Sequence, residues 1–154
     1  MMPDRFYTFV LLIEGIHKSI NQLKFDFAPS LGVKSVHIFW VYELFAHPDG
    51  LTAAELASRA LISRSLISRE IECLLEKGYV QIHENARGKR KNYNARITLT
   101  EKGRELATDI QAKAKKIQTR VNAGISEEEM AAFYATMEKL YKNIQDVLKE
   151  NEAS

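Results

Sequence analysis

The sequence holds one cysteine, Cys73, so no disulfide can form within the chain and a cystine-stapled scaffold is excluded. Three prolines and seven glycines in 154 residues leave little material for linkers or low-complexity tracts, and no repeat of solenoid length recurs. No apolar run has the length of a membrane span, and Met1-Met2-Pro3-Asp4-Arg5 leads directly into an amphipathic segment with no signal-peptide or lipidation pattern. A cytoplasmic protein without a membrane partner is expected. Histidine is sparse as well. His17, His37, His47 and His83 have no metal-ligand spacing and no nucleophile or base motif around them, so no metal, no cofactor and no catalytic residue is expected.

What is present is enough for a packed interior: 45% of the residues are hydrophobic, ample for one domain of common size. The formal net charge is only +2, but it is unevenly spread. Residues 51–100 carry 9 Lys and Arg against 5 Asp and Glu, net +4, while the rest of the chain has 13 against 15, net −2. The positive charge is therefore gathered in one stretch, which is where a nucleic-acid contact would be sought.

That stretch reads as a helix-turn-helix. Thr52 followed three residues later by Glu55 is a capping box that opens a short helix, with Leu56 and Ala57 facing a core. Ser63 can cap a second helix whose Ile67, Ile71 and Leu74 define one buried stripe before Gly78 stops it. The opposite face carries Arg64, Ser65, Ser68 and Arg69 in its first two turns. A recognition helix meets base edges with its N-terminal residues, where arginine can pair bidentately with guanine and small hydroxyls allow close approach. Tyr79 to Glu84 and Tyr93 to Leu99 then alternate apolar and polar residues as a hairpin does. The connection from Asn85 to Asn92 holds Arg87, Lys89, Arg90 and Lys91 and no acid, the composition of a wing that reaches phosphates or a minor groove.

On either side of this reading head lie long apolar seams. Phe6, Phe9, Ile13, Ile16, Ile20, Leu23 and Phe27 alternate steps of three and four until Pro29 and Gly32, which are expected to break the helix. Val33 to Ala46 reads as a central helix with Val36, Phe39, Trp40 and Leu44 inward, and Val41, Tyr42 and Phe45 extend its apolar surface around much of the circumference. Leu106, Ile110, Ile117 and Val121 mark a further helix that ends near Gly124. A second capping box, Ser126 with Glu129, opens a last helix carrying Met130, Phe133, Met137, Leu140, Ile144 and Val147, with Tyr134, Tyr141 and Leu148 on its flank. A small winged helix cannot cover both terminal seams. A second copy of the chain is the economical partner, with Phe6, Phe9, Ile13 and Ile16 and the six residues from Met130 to Val147 in the interface.

The fold class expected is thus mainly α: a winged helix-turn-helix over 33–100 with a small β-hairpin wing, a connecting helix over 100–123, and dimerisation helices over 1–30 and 124–154, all in one domain. This order resembles the MarR family of winged-helix transcriptional regulators. The resemblance rests on Leu51-Thr52-Ala53-Ala54-Glu55-Leu56-Ala57, Ile62-Ser63-Arg64-Ser65-Leu66-Ile67-Ser68-Arg69, Leu74-Leu75-Glu76-Lys77-Gly78-Tyr79-Val80 and Leu99-Thr100-Glu101-Lys102-Gly103-Arg104-Glu105-Leu106. It implies a homodimer that binds a palindromic double-stranded DNA operator through two recognition helices, repressing a promoter and released by a small aromatic or anionic effector. His17, His37 and Trp40 lie on the two helices that frame the effector pocket in the family. The chain departs from the family in its wing, which lacks the Asp of the usual Asp-x-Arg signature, and in having neither the redox cysteine of the first helix nor the histidine cluster of zinc-responsive members. Cys73, beside the core stripe, reads as a packing residue. Two other classes share much of this pattern: a protein-binding adaptor, which need not keep Arg64, Arg69 and an acid-free wing, and a nonspecific architectural DNA-binding protein.

Overall fold

Asp4 opens the first helix by accepting hydrogen bonds from the backbone N–H groups of Phe6 and Tyr7 at 2.9 and 3.4 Å. In the computed structural model the described residues are 4–60, 63–83 and 95–154, with Arg64 described by its backbone alone. The elements run α1 (Arg5–Leu31), α2 (Ser35–Ala46), α3 (Ala53–Ala60), α4 (Arg64–Glu76), β1 (Val80–His83), β2 (Arg96–Leu99), α5 (Glu101–Val121) and α6 (Glu127–Ala153). The chain divides into two compact units, Met1–Ala114 and Lys115–Ser154.

Pro29 does not break α1 as the sequence suggested. The helix runs through it for two more residues and ends at Gly32, whose φ of 68° places it in the left-handed region. A proline so near the C-terminus forfeits one hydrogen bond, and the glycine then supplies the cap: its N–H donates to the carbonyls of Ala28 and Pro29. Only this end of α1 joins the core of the first unit, through Ala28, with Phe27 and Leu31 packed against it. Further up, Phe6 is 68% exposed and Ile16 50%, so most of the seam lies on the surface of the single chain.

The core is built around α2, which buries His37, Ile38, Trp40, Val41 and Leu44. Tyr42 and Phe45 remain exposed, so the helix is less encircled than its composition suggests, and Val41 is wholly buried. Leu56 and Ala57 from α3 join Ile67, Ile71 and Leu74 from α4, and Leu106, Ala107 and Ile110 from α5 complete the cluster. Full burial of one such aliphatic side chain contributes about 1.5–3 kcal/mol. Both capping boxes form: Glu55 N–H donates to Thr52 Oγ1 at 3.1 Å and Thr52 N–H to Glu55 Oε2 at 2.9 Å, and Ser126 and Glu129 make the same reciprocal pair.

β1 and β2 pair antiparallel, with Val80 opposite Leu99 and His83 opposite Arg96. Leu51 adds an isolated bridge to Ile97, exchanging hydrogen bonds of 3.1 and 2.9 Å. Gly50, at φ 89°, makes this possible, because a Cβ there would stand 2.8 Å from the Ile97 carbonyl oxygen. Arg96 fixes the same corner by donating to the Gly50 carbonyl at 2.9 Å. The entrance to α3 is therefore tied to the hairpin.

Candidate nucleic-acid interface

The candidate recognition face begins at Ser63, whose hydroxyl accepts from Leu66 N–H at 3.4 Å and so starts α4. Ile67, Ile71 and Leu74 are buried at 5% exposure or less, which fixes how the helix is rotated. Ser65, Ser68 and Arg69 are exposed as a consequence. The hydroxyls of Ser63 and Ser65 lie 3.2 Å apart. The side chain of Arg64 and the four wing cations Arg87, Lys89, Arg90 and Lys91 fall outside the described residues. At the hairpin, His83 Nε2 and Thr98 Oγ1 are 2.8 Å apart, a cross-strand hydrogen bond next to the β1–β2 connection.

Beneath this face is a residue that sequence reasoning missed. Glu70 is 5% exposed, and its carboxylate lies 2.7 Å from Nε2 of the fully buried His37 on α2. Lys34 donates to both carboxylate oxygens at 3.4 Å. Burial, outweighing the hydrogen bond and charge of Glu70, holds the His37 imidazole below its ordinary pKa. Burial alone would raise the Glu70 carboxyl, but the hydrogen bond and charge of His37, with those of Lys34, more than offset it and hold the group below the usual carboxylate range. Both directions favour a neutral imidazole donating from Nε2 to an ionised carboxylate. Position 70 sits three residues after Ile67 and four before Leu74, on the buried stripe itself, which is the signal that a glutamate there is structural.

A cavity of about 600 Å³ lies within the first unit, lined by His17, Asn21 and Lys24 of α1, Ser35, Val36, Phe39 and Trp40 of α2, and Arg59 and Ala60 of α3. Two of the three residues expected at an effector pocket, His17 and Trp40, meet here, whereas His37 turns to Glu70 instead. His17 Nε2 lies 3.2 Å from Asn21 Nδ2, and Arg59 pairs with Glu43 at 3.1 Å. The Trp40 indole N–H is buried and has no partner among the described residues. Of the expected dimer contacts, Phe9, Ile13, Met130, Met137 and Leu140 are half-buried, and Phe6, Ile16, Phe133, Ile144 and Val147 are exposed in the single chain. No helix among the described residues is long and apolar enough to cross a membrane.

A capped short helix, a second helix rotated by its own core stripe and a following antiparallel hairpin define a winged helix-turn-helix protein. Residues 32–91 match the MarR family, and the chain as a whole has the fold of MarR-family transcriptional regulators. A MarR-family transcriptional regulator from Silicibacter pomeroyi is similar at 25% identity and a TM-score of 0.75, over 86% of this chain and 87% of that one. A Listeria monocytogenes protein assigned to the same family, solved with a 26-mer DNA, superposes with a TM-score of 0.78 at 21% identity, over 94% and 91% of the two chains. Staphylococcus aureus MarR, solved with salicylate and kanamycin, gives a TM-score of 0.76 at 17% identity, over 91% and 92%. No curated protein matches the chain.

Proposed function

We propose that the chain is a homodimeric, sequence-specific DNA-binding transcriptional regulator that represses from a palindromic operator. The observation that carries this reading is the division of α4 into a buried stripe and an exposed face of Ser65, Ser68 and Arg69. Arg69 and Arg64 are the base-reading groups, with Ser65 and Ser68 close to base edges or phosphates. Arg87, Lys89, Arg90 and Lys91 hold phosphates and release counterions without reading sequence. The DNA complex of the Listeria relative supports the reading by fold. A second copy of the chain covers the exposed apolar residues of α1 and α6. Two-fold symmetry then sets half-sites about one helical turn, roughly 10 base pairs, apart. Selecting bound duplexes from a random pool tests this directly: an imperfect palindrome is expected, and a pool that stays random after repeated selection sinks the reading.

The 600 Å³ cavity favours a releasing effector. Phe39 and Trp40 offer aromatic faces and Lys24 and Arg59 offer positive charge, a lining suited to a small aromatic anion. The chain has one tryptophan, so quenching of Trp40 on titrating aromatic acids, together with loss of bound DNA, is the expected response. Retention of DNA at saturating concentrations across a broad panel removes the effector from the account.

A further inference from the structure

We propose that His37, Glu70 and Cys73 bind one zinc-class divalent cation, clamped between α2 and α4. Glu70 and Cys73 are three residues apart on α4 and so share a face of that helix, while His37 meets them from α2. A ring nitrogen of His37, a carboxylate oxygen of Glu70 and Cys73 Sγ all lie within 4.8 Å of one another. Donors bound to one zinc ion at about 2.0–2.3 Å stand roughly 3.3–3.6 Å apart, so side-chain shifts of about an ångström convert the cluster into a ligand set. The spacing along the sequence conceals it, because His37 and Glu70 are 33 residues apart.

Two further observations point to a cation. His37 is fully buried, and its Nδ1 has no hydrogen-bond partner among the described residues. Nε2 is the nitrogen that faces Glu70, so ligation needs its proton to move to the unengaged Nδ1, which leaves Nε2 free as the donor of a neutral imidazole. Lys34 already supplies positive charge to the Glu70 carboxylate from 3.4 Å, and its side chain is 57% exposed, so it can turn to solvent when an ion takes its place. On coordination the Cys73 thiol releases its proton to solvent. Thiolate and carboxylate then balance the two charges of the ion, and the imidazole stays neutral. One nitrogen, one oxygen and one sulfur donor exclude magnesium and calcium, which take oxygen ligands, and suit zinc in tetrahedral geometry. Cys73 is only half-buried, which leaves the fourth position open to water and gives the ion a way in.

The test uses the full chain, stripped of metal and titrated with cobalt(II) and then zinc(II), without DNA. Stoichiometric cobalt binding with a thiolate-to-metal charge-transfer band, displaced by zinc, is expected. Cys73→Ser should abolish the band and weaken zinc by at least about a hundredfold, the upper end of what losing even an outer hydrogen-bond partner of a ligand costs. Lys34→Gln removes the competing charge and should tighten binding by about tenfold. Neither substitution touches a fully buried side chain, and circular dichroism verifies that each variant is folded. Absence of the charge-transfer band in the wild type, equal zinc affinity in Cys73→Ser, or no tightening in Lys34→Gln overturns the proposal. None of these outcomes bears on DNA binding.

Discussion

The contact between His37 and Glu70 joins α2 to α4, and its removal can be worked out one partner at a time. Glu70→Leu leaves the His37 Nε2–H buried without an acceptor, which costs about 1–3 kcal/mol. His37→Phe leaves a carboxylate of 5% exposure with Lys34 as its one remaining partner among the described residues, a loss of about 3–5 kcal/mol. Changing both residues removes both orphaned groups and fills the space with apolar atoms, a replacement that is often neutral or stabilising by about 1–4 kcal/mol. The double variant should therefore be more stable than either single one, with a coupling of roughly 3 kcal/mol or more. Urea denaturation with a chelator present and protein concentration held fixed measures all four corners of the cycle. Effects that add to within about 0.5 kcal/mol would refute the reasoning, since independent sites behave that way.

Ile144→Asp should act on assembly and leave the single chain folded, because Ile144 is 41% exposed there; burying the new charge in a dimer costs about several kcal/mol per copy, and sedimentation should show monomer where the wild type is dimeric. Gly50→Ala should be worse than Gly32→Ala. Both strain a positive φ by about 1–2 kcal/mol, but only at position 50 does the new Cβ meet backbone, so equal melting temperatures for the two variants would contradict the described corner. The start of α6 should loosen in acid: the backbone N–H of Ser126, then its hydroxyl, hold the Glu129 carboxyl below its ordinary value of 4.5. A depressed folded pKa gives stability that is present above the unfolded value and lost as pH falls through the folded one. Amide exchange at 126–131 should therefore show less protection relative to the pH-corrected intrinsic rate below about pH 4.5 in the wild type, and a flat profile in Glu129→Gln.

Local signals were the most legible. The capping boxes at Thr52 and Ser126 and the stripe of Ile67, Ile71 and Leu74 each depend on residues within one or two helical turns, and each forms as read. The hairpin was also legible: β1 and β2 lie within the two alternating runs, of which Glu84, Tyr93 and Asn94 fall outside the described residues. Pro29 misled because a proline breaks a helix through the hydrogen bond it lacks, and near a C-terminus that loss is small. Glu70 was legible in its place but not in its partner: it falls on the stripe of Ile67 and Leu74. The partner stayed hidden because the buried histidine it meets lies 33 residues earlier, on another helix. His37 was expected at the effector pocket on the strength of its helix, but a helix presents several faces, and His37 lies on the one that meets Glu70. The cavity lining shows the same limit: Lys24 and Arg59 come from different helices, so no spacing within either announces them.

The central claim is that α4 reads bases, and the affinity of wild type and Arg69→Ala for a selected duplex and for its scrambled counterpart, across several salt concentrations, tests it most directly. Loss of a bidentate base contact should cost about 1–3 kcal/mol on the selected duplex. On the scrambled duplex the loss should be much smaller, with the salt slope little changed, because phosphate contacts elsewhere persist. Equal losses on both duplexes would show that Arg69 holds phosphate and that the reading element lies elsewhere.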